Sequence, residues 1–337
     1  MTNVAPYRDL IAKIGELLHK GREQAGRAVN MALVQTYWHV GQHIVEFEQG
    51  GQDKAAYGTD LLNRLSKDLT QTYGKGFGRS NLFYMRKFYL AFQNSGTVSH
   101  KLSWGHYYEI LKADNDLEIS FYTKQCEKEN WSVRERKRQM KSLLFHRIAL
   151  SKDKQGVMDI AEKGAEIQKP EDIIKDPYVF EFLGIPEQHQ YLEGELEERL
   201  IHNLEQFLLE LGKGFAFIGR QYRISLANRH FYVDLVFYHR ILKCFVLIDL
   251  KRGEIEHTDI GQMNMYLNYF AKEENVEGDN PPIGIVLGAY KDHILVEYAI
   301  ENISNQLFVS KNQLYLPDKA VLSAQLEKLL ADDANKL

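Results

Sequence analysis

Residues Phe231–Arg252, FYVDLVFYHRILKCFVLIDLKR, constrain this chain more than any other stretch. β-Branched and aromatic residues crowd both halves, and the run reverses at about Ile241–Leu242, so two strands joined by a tight turn are predicted. A turn centred there pairs residue i with residue 483 − i and sets Asp234 across from Asp249. Side chains alternate along a strand, so Lys251 shares the face of Asp249. Val233, Leu235, Phe237, Val246 and Ile248 are expected on the opposite, core-facing side. Two facing carboxylates repel and persist only with positive charge between them. A hard divalent cation meets that need, since Mg²⁺ is typically held by one or two carboxylates with water and phosphate. The commoner explanation of so short a spacing is an acid that ends a strand in solvent, with Lys251 as its ion-pair partner. The neighbouring elements must therefore decide.

A chain of 337 residues has room for about two domains. Its 44% apolar and 26% charged content is that of a soluble globular protein. No apolar run approaches the ~18 residues that span a bilayer, and no signal-peptide pattern opens the chain, so a cytoplasmic protein free of membrane is expected. Cys126 and Cys244 lack metal-ligand spacing and read as reduced thiols. Charge is uneven: residues 1–150 hold 22 Lys and Arg against 15 Asp and Glu, whereas the remainder is net acidic. A basic front ahead of an acidic back fits a nucleic-acid-docking module followed by a metal-binding one.

Residues 7–49 carry Val29, Leu33, Val40, Ile44 and Phe47 at helical spacing. A second helix is predicted at Thr59–Thr72. After the turn of Gly74, Gly76 and Gly78, Ser80 is the expected N-cap of a third helix, Asn81–Phe92. With Arg79, Arg86 and Lys87 beside aromatic residues, this is the outline of a helix-turn-helix reader, an outline shared with helix pairs that bind no DNA. More helices fill Lys101–Arg147. There Arg134, Arg136, Lys137, Arg138 and Lys141 form a basic cluster, either a phosphate track or the wet side of a helix whose core side is Val133, Met140, Leu143 and Leu144. Breakers and mixed charge over 151–190 suggest a connection between a helical domain, 1–150, and a second domain, 191–337.

That second domain opens with the helix ELEERLIHNLEQFLLELG, ending at Gly212. Leu196, Leu200, Leu204, Phe207, Leu208 and Leu211 form its apolar stripe, and Glu197 points near the middle of it. An acid aimed into a core needs a partner. Packing on the hairpin would bring Glu197 towards Asp234 and Asp249; a carboxylate favoured by the helix dipole is the plainer alternative. One or two strands in GFAFIGRQYRISL precede the hairpin. Thr258 or Asp259 is the expected N-cap of a helix in which Gln262 lies early. Strand IGIVLGAY, helix DHILVEYAIEN, strand QLFVS and a helix from about Asp318 complete an α/β sandwich on a mixed sheet.

A helix with Glu197, a strand with Asp234, Asp249-Leu250-Lys251 on the next strand and a helix opening with Gln262 together resemble the PD-(D/E)XK nuclease superfamily. FLLELGKGFAFIGRQYRI, FYVDLVFYHRILKCFVLIDLK and GQMNMYL resemble the YhcG-like family of bacterial nucleases. YWHVGQHIVEFEQGG, YGTDLLNRLSKDL, GFGRSNLFYMRKFY and LSWGHYYEIL resemble that family's amino-terminal module, so the likeness covers nearly the whole chain. It implies an α+β two-domain protein: an all-α, helix-turn-helix-like domain followed by an α/β, restriction-endonuclease-like domain. It further implies that Asp234, Asp249 and the backbone carbonyl of Leu250 bind Mg²⁺ or Mn²⁺, with Glu197 joining directly or through water. Lys251 would orient the attacking water or neutralise charge on phosphorus, and Gln262 and Gln221 would support the site or touch phosphate. The implied substrate is nucleic acid, above all DNA, met by Arg79, Ser80, Arg86, Lys87, Arg134, Arg136, Lys137 and Arg138. Cutting both strands needs two centres, which suggests a homodimer. Val233 replaces the superfamily's proline, and Asp249 stands where the family usually has Glu, one methylene shorter. The alternative is a non-catalytic DNA-binding or assembly protein whose hairpin acids are structural.

Overall fold

The long amphipathic run at the amino terminus folds as one helix, α1 (Val4–Gly50), and the chain that follows turns back on its last third. The computed structural model describes residues 4–50, 58–94, 98–150, 152, 154–175, 177–183, 185, 193–226, 229–251, 253–288, 306–313 and 316–331. It divides into two units, Met1–Lys137 and Arg138–Leu337. Among the described residues no helix is long and apolar enough to cross a membrane.

In the first unit α1 is followed by α2 (Gly58–Tyr73), α3 (Arg79–Ala91), α4 (Trp104–Ile110), α5 (Asp116–Glu129) and α6 (Val133–Lys141). Gly41 explains how α3 lies against α1. A Cβ there would sit 2.0 Å from the Met85 carbonyl oxygen, so only glycine lets the two backbones meet. Ile44, Leu62, Leu82 and Met85 form the surrounding core. Gly74 and Gly76 take positive φ in the turn, and the Asn81 side chain donates to the Gly76 carbonyl at 2.5 Å. The cap of α3 is Gly78 rather than Ser80. Ser80 stands exposed inside the first turn, because the helix begins two residues earlier than expected.

The division falls within α6, ahead of residue 150. Arg138 and Arg147, the latter on α7 (Leu144–Ala149), are tied to the second unit's Glu210. The stretch read as a connection contributes α8 (Lys154–Lys163) and a short strand, β1 (Tyr178–Val179). After α9 (Glu193–His202) and α10 (Leu204–Leu211) come β2 (Phe215–Leu226), β3 (Arg229–His239), β4 (Cys244–Leu250), α11 (His257–Tyr269), β5 (Ile283–Gly288), β6 (Leu307–Gln313) and α12 (Lys319–Ala331). The six strands form one mixed sheet in the order β1-β6-β5-β4-β3-β2, antiparallel from β2 to β4 and parallel from β4 to β1. The expected helix Asp292–Asn302 lies outside the described residues.

Both faces of this sheet are covered. Leu196, Leu200, Phe207 and Leu211 pack with Leu235, Phe237, Val246 and Ile248 on one side. Ile260, Met263, Tyr266 and Leu267 pack with Val236, Leu247 and Val286 on the other. The acid-bearing face of the hairpin is therefore a second core and not a solvent patch, and Val233 joins that second core instead of the first. The helix expected to run unbroken to Gly212 is interrupted at Asn203, whose side chain donates to the Arg199 carbonyl and competes with the helical backbone. α11 is capped by Glu256, two or three residues before the expected cap of Thr258 or Asp259, with the Asp259 carboxylate accepting from the Glu256 N–H at 2.9 Å.

Candidate active site

The hairpin has the predicted register. Leu235–Ile248, Val236–Leu247, Phe237–Val246, Tyr238–Phe245 and His239–Cys244 are partners, around a four-residue turn that Lys243 closes at φ +50°. Beyond Leu235 the side chain of Asp234 takes over from the ladder, with its Oδ2 accepting the Leu250 N–H at 2.7 Å. Asp249 is 3% exposed. Lys251 Nζ lies 2.9 Å from Asp249 Oδ2 and 3.6 Å from Asp259 Oδ1. Three charged side chains from two adjacent strands thus meet at one end of the sheet.

Their electrostatics do not balance. Burial opposes the charge of Asp249 and nearby Asp234 opposes it further, while Lys251 favours it; the carboxyl is pushed up to about 7. Burial also works against the ammonium of Lys251, but Asp249, then Asp259 and Glu193, hold it protonated beyond the usual lysine range.

Gln221 joins this group to α9. It sits mid-strand in β2 between Arg220 and Tyr222, the partners of Leu235 and Val233, so it falls opposite Asp234. Its φ of +47° is rare for a residue with a side chain and is the kind of strain that gathers at functional sites. Its amide donates to Glu197 Oε2 at 2.5 Å and to Asp234 Oδ1 at 3.1 Å. Glu197 is 7% exposed, and burial lifts its carboxyl above the usual range; Gln221 lowers it and Asp234 raises it again. The structure therefore brings Glu197, Asp234, Asp249 and Lys251 into one connected group, with Glu197 one amide removed from the rest.

Gln262 is placed differently. It donates to the Tyr266 hydroxyl at 2.5 Å, and that hydroxyl donates to the Tyr232 carbonyl at 3.0 Å. Burial, then Asp249, pushes the Tyr266 phenol up to about 12. Sequence reasoning missed Tyr266, because an aromatic residue on the inner stripe of a helix looks like any other core residue.

The oxygen donors can be tested for a cation. Among the described residues no three His, Cys, Asp or Glu side chains gather as a metal site. Two carboxylates, Asp234 and Asp249, do meet, and Leu250 adds main-chain oxygen in the same strand. That set suits Mg²⁺, which keeps several waters and takes few protein carboxylates. A cation there would offset the burial and the Asp234 charge that push the Asp249 carboxyl up, so the residues fit the group.

The expected nucleic-acid residues separate into two sets. Arg79, Ser80, Arg134 and Lys137 are exposed. Arg86 ion-pairs with Glu48 at 2.7 Å, and Lys87 donates to the carbonyls of Leu111 and Ala113 at 2.5 and 3.1 Å. Arg136 is fully buried and donates to the Gly105 carbonyl at 3.2 Å. Arg138 donates to the Val179 carbonyl at 3.2 Å and ion-pairs with Glu181 and Glu210. Each of these four has a partner within the protein, a main-chain carbonyl or an acid, and only Arg136 is fully buried. The expected core side of α6 shifts with them, since Val133 is exposed while Arg136 and Gln139 point inward.

The mixed-sheet domain that carries these side chains is of a known class, and comparison with known proteins gives it as a PDDEXK nuclease domain. Residues 171–329 match the YhcG PDDEXK nuclease domain, and residues 13–147 match the DUF1016 N-terminal domain. The chain is 38% identical over 359 residues to the Escherichia coli (strain K12) protein named "Putative nuclease YhcG", with 97% of this chain and 95% of that one covered. The chain belongs to the YhcG family of PDDEXK nucleases. Solved structures that it matches include a repair endonuclease from Pyrococcus abyssi, at 21% identity and a TM-score of 0.28 over 39% of this chain and 50% of that one. The EndoMS–dsDNA2 complex is similar at 18% identity and a TM-score of 0.28, over 40% and 50%. Half the length of those chains is spanned.

Proposed function

We propose that this protein is a divalent-cation-dependent nuclease that hydrolyses phosphodiester bonds in DNA. One observation carries the reading: the buried Asp249 lies 2.9 Å from Lys251 Nζ and beside Asp234 at the adjoining strand end, where burial and then Asp234 push its carboxyl up. Asp234, Asp249 and the Leu250 carbonyl are the residues that would hold Mg²⁺ or Mn²⁺. When bound, such an ion polarises a phosphodiester oxygen and lowers the pKa of water. Lys251, kept protonated by Asp249 and Asp259, is the fixed cation that orients the attacking water and offsets charge developing on the phosphate. Gln221 holds Glu197 and Asp234 at a set separation, and Glu197 accepts a hydrogen bond from whatever water Gln221 leaves in reach. Gln262 acts through Tyr266, as a positioning residue. The basic front, with Arg79, Arg134 and Lys137 exposed, supports a polyanionic substrate, and the glycine turn before α3 supports a helix-turn-helix-like mode of reading it.

The test is cleavage of plasmid, forked and single-stranded DNA, with RNA as a further arm, in Mg²⁺, Mn²⁺ or chelator. Asp234→Ala and Lys251→Ala are expected to lose on the order of 10²–10³ in rate, the scale of removing a fixed charge-stabilising group. A folded wild type that cuts no nucleic acid under any metal, and binds none, overturns the proposal.

A further inference from the structure

The first part of α1 is an arm. Every residue from Tyr7 to Leu33 is exposed, among them Tyr7, Leu10, Ile11, Ile14, Leu17 and Leu18, whereas Val34, Trp38, Ile44 and Val45 further along the same helix are buried. A lone helix gains little from such a stripe. Gly15, Gly21 and Gly26 each weaken it by more than an i,i+4 ion pair restores, so the arm needs packing to be stable.

Its pattern says what kind of surface packs there. Asp9, Glu16 and Glu23 recur every seven residues, and each pairs with the base four residues on (Lys13, Lys20, Arg27) at 2.7 Å. The apolar rows keep the same period: Tyr7, Ile14, Gly21, Ala28 and Ile11, Leu18, Ala25, Ala32. A seven-residue repeat is the mark of a helix that supercoils along another helix. The charged rows lie on the far side and neutralise each other, so the seam calls for an uncharged helix.

Side-chain size then selects the occupant. The seam is bulky in its first half and small in its second. Turning a second copy end for end brings residue i to 39 − i, which sets Tyr7 on Ala32, Ile11 on Ala28, Ile14 on Ala25 and Leu18 on Gly21. Each large side chain meets a small one, and each pair occurs twice, as a two-fold interface requires. In the flanking rows the same register sets Arg8 opposite Met31 and Arg22 opposite Leu17, so no like charges meet. A parallel pair would instead stack Ile14 on Ile14 and leave Gly21, Ala25 and Ala28 facing gaps.

We propose that the exposed arm of α1 binds a second copy of this chain as an antiparallel two-helix coil in that register. Sedimentation of the full chain at tens of micromolar should give twice the chain mass. Ile14→Glu with Leu18→Glu should give the chain mass with helical content otherwise kept, since both side chains are exposed in the single chain. Mixing Ile14→Cys protein with Ala25→Cys protein should yield a disulfide-linked dimer that neither variant gives alone; the native Cys126 and Cys244 are buried and do not interfere. A monomeric wild type overturns the proposal, as does a double-Glu variant that stays dimeric or cross-linking by Ile14→Cys alone. These readouts are blind to cleavage, so they stand or fall apart from the nuclease reading.

Discussion

Two buried carboxylates in the second unit, Glu210 and Asp249, meet opposite fates. Glu210 is wholly buried, yet its carboxyl is held below the usual range. Burial raises it, but Arg147, Lys175 and Arg138 together outweigh that. Arg147 and Arg138 ion-pair with it, the Val179 N–H donates to it at 3.0 Å, and Lys175 donates to the Glu210 backbone carbonyl. Asp249 has one close cation and a second acid beside it, and its carboxyl rises to about 7. Burial of an acid therefore does not by itself mark a working site. What separates the two is the company each acid keeps: a closed network of cations joins α7, α10 and β1 around Glu210, whereas at the ends of β3 and β4 a second acid adds to what burial does to Asp249.

The sharpest way to break this contrast is to remove each acid. Glu210→Ala leaves Arg147 buried without its partner and is expected to cost about 3–5 kcal/mol in urea unfolding. A loss below about 1 kcal/mol would erase the distinction. Asp249→Asn is expected to act in the other direction, raising stability by about 1–3 kcal/mol at pH 8 without divalent ions while cleavage is lost. Its pH dependence follows from the sign of the shift. Between about pH 4 and 7 the folded protein keeps a proton on Asp249 that the unfolded chain releases, so this group's effect on stability worsens as pH rises and levels off above about 7. The gap between wild type and Asp249→Asn should open across that window. Glu210 behaves inversely: its contribution is present above the ordinary carboxylate pKa and fades as pH falls through its lowered value.

Smaller effects sharpen the picture. Mg²⁺ at about a hundred times its dissociation constant should stabilise wild type by about 2.7 kcal/mol, read as a rise in Tm, and should leave Asp249→Asn unmoved. Equal stabilisation of both would place the ion elsewhere. Smallest of all, Gln221→Ala should slow cleavage roughly tenfold, as loss of one positioning contact does, while unfolding shifts by less than about 1 kcal/mol. An unchanged rate would reduce the amide bridge between Glu197 and Asp234 to packing.

Some of this was legible in the chain. Alternating side chains and a short turn leave only one register for Phe231–Leu250, so the meeting of Asp234, Asp249 and Lys251 follows from spacing. Glu197 was legible too, as an acid on an apolar stripe. The basic cluster was not. Successive residues on a helix point 100° apart, and when Arg134, Arg136, Lys137 and Arg138 all carry charge, no apolar neighbour says which of them turns inward.

By itself, the sequence determined the two strands, their pairing and the family, because local period and turn length are properties of contiguous residues. Only the tertiary structure decided that Gln221 bridges Glu197 and Asp234, that Arg136 is buried, and that Glu210 is satisfied where Asp249 is not. Those outcomes depend on partners far along the chain, such as Arg147, 63 residues from Glu210, and a charge is balanced or left in surplus only once packing brings such partners within reach.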